Sequence, residues 1–74
     1  MVMVMGVKVG DLVRVGPKVH QEGIPLNRTG IVIRHGGVVI DHFTKSECDT
    51  WFIQFTNGNT MKFHYMWLEI VRSA

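Results

Sequence analysis

The sequence is short of the features that announce a function. It has one cysteine, Cys48, so an intrachain disulfide is excluded and a reducing, cytoplasmic setting is expected. It has no apolar run long enough to span a bilayer. The opening "MVMVMGV" is apolar for only seven residues, so no membrane association is expected. That opening also lacks the basic start and cleavage site of a signal peptide. No window keeps a helical period, so a helix-based fold is excluded. No Gly-rich phosphate loop and no paired metal-ligand spacing occur. Charge is also scarce: eight basic residues against six acidic ones leave +2, too little to demand a polyanionic partner.

What is present is a β pattern. With 74 residues, the chain suffices for one small domain over 1–74, with 1–6 as an extra strand or arm. Short runs rich in Val, Ile, Phe and Thr alternate with glycine and asparagine, which predicts an all-β fold. Strands are expected near 7–9 or 11–15, 29–35, 38–43, 51–55, 59–64 and 68–72. Residues 16–27, "GPKVHQEGIPLN", hold both prolines and form a long irregular loop. In "TGIVIRH", Ile31, Ile33 and His35 share one face, with Val32 and Arg34 on the other. A two-residue Gly36-Gly37 turn then pairs Ile33 with Ile40; a glycine-bulged continuous strand is the competing reading. "FTKSECDT", 43–50, is expected to be an exposed loop.

The stretch "WFIQFTNGNTMKF" decides a register. A two-residue Asn57-Gly58 loop would pair Gln54 with Met61 and mix polar with apolar residues on both faces. A three-residue Thr56-Asn57-Gly58 loop, with Gly58 left-handed in a bulge, instead sets Trp51 opposite Phe63 and Ile53 opposite Met61. This register is the expectation, with Trp51 largely buried. Its outward face carries Phe52, Gln54, Thr60 and Lys62. Tyr65 to Trp67 form one helical turn, and Leu68 and Ile70 point inward from a closing strand.

The order is a Gly-Asp-entered strand ("VGDLVRV"), a long loop, a "TGIVI" strand, a hairpin, one helical turn and a closing strand. It resembles the SH3-like small barrels, including their KOW and Tudor relatives, over roughly residues 8–72. The resemblance implies a barrel of five to six short antiparallel strands with a helical turn before the last. Trp51 and Tyr65 sit at places similar to those of the aromatic peptide-binding residues of SH3 domains, although loop 16–27 offers no aromatic residue and only Glu22 as an acid. "VGDLVRV" and "TGIVI" are similar to KOW-type domains, which implies nucleic-acid or ribosomal partners. The chain also resembles plasmid-type dihydrofolate reductases. Their pore-lining Val-Gln-Ile-Tyr stretch corresponds to Thr60-Met61-Lys62-Phe63, without the glutamine and tyrosine. The general look is similar to small phage and bacterial open reading frames.

Candidate chemistry is sparse. "DHFTKSECD" gathers Asp41, His42, Glu47, Cys48 and Asp49, but His42 and Cys48 have no second ligand pair, so no metal and no cofactor are expected. No nucleophile has a motif-supported base, so catalysis is not expected. Arg14, Arg34 and Lys62 point outward and form a basic stripe with Phe52, which Lys8, Lys18 and Arg28 would extend. Phe52, Gln54, Lys62, Tyr65, Trp67, Arg14 and Arg34 are therefore the candidate binding residues. The leading expectation is a non-enzymatic module that binds a protein or itself, as a homo-oligomer through residues 1–9. Four valines and three methionines with one charge make that run an apolar strand, with Val7 and Val9 buried. A KOW-like nucleic-acid binder is the alternative, and a small-molecule enzyme at an oligomer pore is the third.

Overall fold

A computed structural model describes residues 6–74. The described residues form five strands: β1 (Leu12–Val15), β2 (Thr29–Ile40), β3 (Glu47–Phe55), β4 (Thr60–His64) and β5 (Leu68–Arg72). They form one antiparallel sheet in the order β4-β3-β2-β1-β5. A 3-10 turn, Tyr65–Trp67, precedes β5, as the sequence predicts. The sheet is open, with β4 and β5 as its edges, so the expected barrel closure is not seen. Met1 to Met5 of the apolar run lie outside the described residues.

The inner face carries the core. Val13, Val15, Val32, Ile53, Phe55 and Phe63 are buried together, and Val7, Trp51, Met61, Leu68 and Ile70 pack on them. These residues come from all five strands plus the segment before β1. Leu68 and Ile70 point inward as expected. The first strand is the 11–15 alternative, not 7–9.

The hairpin from β3 to β4 has the three-residue loop. Trp51 lies opposite Phe63, Phe52 opposite Lys62 and Ile53 opposite Met61. The Gly58 N–H donates to the Phe55 carbonyl at 2.9 Å, and the Phe55 N–H donates to the Asn59 carbonyl at 2.8 Å. Gly58 has φ +91°, which a residue with a Cβ adopts only at a cost.

Three expectations are corrected in β2 and β3. The Gly36-Gly37 pair is not a turn: β2 runs on to Ile40. The pairing with β3 shifts between His35 and Gly37, with Gly37 at φ +99°, so the glycines absorb a bulge instead of reversing the chain. The reversal comes at Asp41–Ser46. There the Asp41 carboxylate accepts the Thr44 N–H at 2.8 Å and the Thr44 hydroxyl at 2.9 Å, and these bonds hold its pKa below the usual carboxylate range. Second, Glu47 to Thr50 belong to β3, and Cys48 and Thr50 are buried where an exposed loop was expected. Third, the buried face of β2 is that of Val32, whereas Ile31 and Ile33 are exposed. A second shift lies between Val32 and Arg34, which leaves Ile33 unpaired and turns Arg34 to the outer side with Phe52.

The long loop is held by Arg28. Its Nε donates to the Val15 carbonyl at 3.0 Å, and its Nη2 donates to the carbonyls of Gly16 and Val19. Asn57 and Asn59 fasten the β3–β4 turn to this loop through the Gly23 carbonyl.

Candidate functional site

Alternation along β3 sorts its side chains onto two surfaces. On the inner side, Ile53 and Phe55 fill the core. Toward the hairpin, that side runs past the core to Trp51, Asp49 and Glu47. There the sheet leaves a cleft of about 530 Å³. Val7, Trp51, Leu68 and Ile70 form its apolar walls, with Tyr65 from the 3-10 turn beside them. Glu47 and Asp49 place two carboxylates at the same opening. Trp51 is half-buried because one side packs on the core and the other lines this space, which corrects the expectation of a largely buried ring.

His35 lies opposite Trp51 across the β2–β3 pair. Its ring meets the indole edge-on, with centroids 4.8 Å apart. Its Nε2 is 3.0 Å from Asp49 Oδ1. The histidine thus fixes both the carboxylate and the indole that border the cleft.

The cleft's near wall depends on Asp11. The Lys8 N–H donates to Asp11 Oδ2 at 2.9 Å, the Lys8 ammonium reaches Oδ1 at 3.1 Å, and the Ala74 N–H donates to Oδ1 at 2.9 Å. Enclosure of the carboxylate acts to raise its pKa. The bonds from Ala74 and Lys8 outweigh that effect and hold it below the usual carboxylate range. The chain before β1 is thereby pinned so that Gly6 and Val7 reach the cleft. Val9, expected to be buried, is 55% exposed.

The outer surface is different. Successive rows across the sheet carry Lys62, Phe52 and Arg34, then Thr60, Gln54, Ile31, Leu12 and Arg72, then Thr29, Arg14 and Glu69. The Arg34 guanidinium lies over the Phe52 ring at 3.9 Å, and the Lys62 ammonium is 5.8 Å from its centroid. Arg14 is taken by Glu69 at 3.7 Å.

The seven sequence-predicted residues therefore fall in three places. Arg34, Phe52 and Lys62 meet on the outer face, with Gln54 and Arg14 on rows farther along. Tyr65 lines the cleft. Trp67 lies in a shallow second depression of about 290 Å³ with Pro17 and Lys18. Lys8 and Arg28 do not extend the stripe, because Asp11 and loop carbonyls engage them. Sequence reasoning missed Val7, Glu47 and Asp49 as cleft residues. The available signal was the alternation Glu47-Asp49-Trp51, hidden by reading 43–50 as loop.

Among the described residues, no three His, Cys, Asp or Glu side chains gather as a metal site, and no helix is long and apolar enough to cross a membrane. No family model matches the chain, and no curated protein or solved structure is significantly similar to it.

Proposed function

We propose that this chain is a non-catalytic binding module of SH3-like type whose cleft takes a peptide segment with a lysine or arginine among apolar residues. The observation that carries this reading is the cleft itself: an aromatic and aliphatic hollow with Glu47 and Asp49 at one opening. The apolar walls supply burial, the indole and phenol faces suit a cation, and the carboxylates select its sign. The strand order and the 3-10 turn before β5 support the SH3-like assignment. A cytoplasmic setting fits the free, buried thiol of Cys48.

Titration of isotope-labelled protein with basic-apolar and acidic-apolar peptide pools tests the proposal. Amide shifts centred on Trp51, Tyr65 and Ile70 are expected with the basic pool alone. Glu47→Lys with Asp49→Lys should abolish them with at most a small drop in the thermal midpoint, because both residues are exposed and the Asp49–His35 contact is a surface one. No response at about 1 mM peptide, equivalent to less than about 4 kcal/mol of binding, would defeat the reading.

Self-association through residues 1–9 is the second reading. Gly6 and Val7, the first described residues of the 1–9 run, line the cleft. Deleting Met1 to Met5 should then lower the solution mass. An unchanged mass removes this reading.

A further inference from the structure

We infer that the outer face of the sheet is a second site, which binds single-stranded nucleic acid across Lys62, Phe52 and Arg34. Charge is the first observation. The outer rows carry Lys62, Arg34, Arg72 and Arg14 against a single carboxylate, Glu69. Glu69 pairs with Arg14, and Arg34, Lys62 and Arg72 form no salt bridge among the described residues. The modest net charge of +2 thus conceals a face on which cations dominate.

The second observation is what lies between the cations. Ile31, on the row of Gln54, is 41% exposed, and Phe52 lies on the next outer row under the Arg34 guanidinium. Ile31 and Phe52 thus set apolar surface among the cations of this face. A strand of nucleic acid uses both features, with phosphates on the cations and unstacked bases on flat or apolar groups. The planar guanidinium over Phe52 presents a ready stacking surface. Lys62 and Arg34 stand two strand spacings apart, about 10 Å, which lets one backbone cross both.

Duplex is the poorer fit. Among the described residues there is no α-helix to enter a groove.

Fluorescence anisotropy tests the site with labelled single-stranded RNA and DNA of random sequence, roughly 12 nucleotides long, within the range that small β domains cover. Three phosphate contacts predict that log K falls with log salt at a slope of about −2. Arg34→Glu with Lys62→Glu should weaken binding at least about tenfold, the cost of a lost charged contact of roughly 1.4 kcal/mol. Arg72→Glu, at an exposed edge position, is the second variant and should lower the slope with the thermal midpoint unchanged. Glu47→Lys with Asp49→Lys should not weaken binding, which separates this site from the cleft. The inference is overturned by no anisotropy change at low salt, by binding that survives charge reversal in folded protein, by tighter binding of a duplex of equal length, or by polyglutamate that competes as well as the oligonucleotide.

Discussion

Trp51 and Phe52 are adjacent in the chain and belong to different surfaces. Trp51 looks into a cleft bordered by Glu47 and Asp49; Phe52 looks out between Arg34 and Lys62. A period of two along β3 is enough to separate an acidic aromatic surface from a basic one. Net charge and composition average over both and describe neither. The inner face fills the main core, whereas the Phe52 side of β3 buries Cys48 and Thr50 toward the β2–β3 turn and leaves Gln54 exposed.

The largest effect should come from breaking the inner face. Ile53 is fully buried among Val13, Val32 and Phe63, so Ile53→Ala should cost about 2–5 kcal/mol by urea denaturation. Gln54→Ala, one residue on and exposed, should stay within about 0.5 kcal/mol. Equal costs would mean that the two faces are not distinct.

The adjacent aromatics sharpen the contrast. Trp51→Ala should cost about 3 kcal/mol, the low end for a large aromatic, because only part of the ring packs on the core. Phe52→Ala loses mainly its cation contacts and should cost about 1 kcal/mol. A larger loss at Phe52 than at Trp51 would reverse the assignment of the faces.

Acid should loosen the inner surface first. The pKa of Asp11 is depressed in the folded state, so its contribution is complete above the unfolded value of about 3.9 and is lost as pH falls through the lower, folded value. Protonation weakens the grip on Lys8 and Ala74, and with it the wall that Gly6 and Val7 give the cleft. Hydrogen exchange below about pH 4 should rise at Val7 and Lys8 before it rises in β3 and β4. Simultaneous loss everywhere would contradict this.

The β3–β4 hairpin was legible because one loop length alone sets Trp51, Ile53, Met61 and Phe63 on a common inner face. The closing strand and its 3-10 turn followed from similarly local signals. The outer half of β2 was not legible. Alternation predicts a face only while pairing is unbroken, and bulges at Ile33 and at Gly36-Gly37 reset it twice. One shift buried Val32 and exposed Ile31. The other moved the reversal to Asp41–Ser46 and drew Glu47 and Asp49 into a strand. The acidic half of the cleft was lost to sequence reasoning at that point. The outer-face residues were recoverable because each cation lies on a strand whose parity was correct or was restored by a bulge.

The hairpin that keeps the two faces in register can be loosened at one residue. Gly58→Ala places a Cβ at φ +91° with open space around it, so the cost is backbone strain alone, about 1 kcal/mol. Pairing of Trp51 with Phe63 should persist, visible as unchanged cross-strand contacts in NMR. An unaltered thermal midpoint would count against the bulge.

The smallest effect on stability should come from the pair that joins β1 to β5 on the outer face. Arg14 and Glu69 approach at 3.7 Å, but their side chains are 52% and 70% exposed. Water and salt screen such a pair, so Glu69→Gln should change stability by no more than about 0.5 kcal/mol. Its effect on charge is not small. Glu69 is the one acid on a face otherwise carrying Arg14, Arg34, Lys62 and Arg72. Removing it releases Arg14 to a polyanion and adds one contact, which steepens the salt slope of single-strand binding by about 0.7. Stability and binding should therefore part company at this residue: a flat melting temperature with tighter low-salt binding. If Glu69→Gln leaves both unchanged, Arg14 lies beyond the reach of the bound strand, and the site ends at the rows of Phe52 and Gln54.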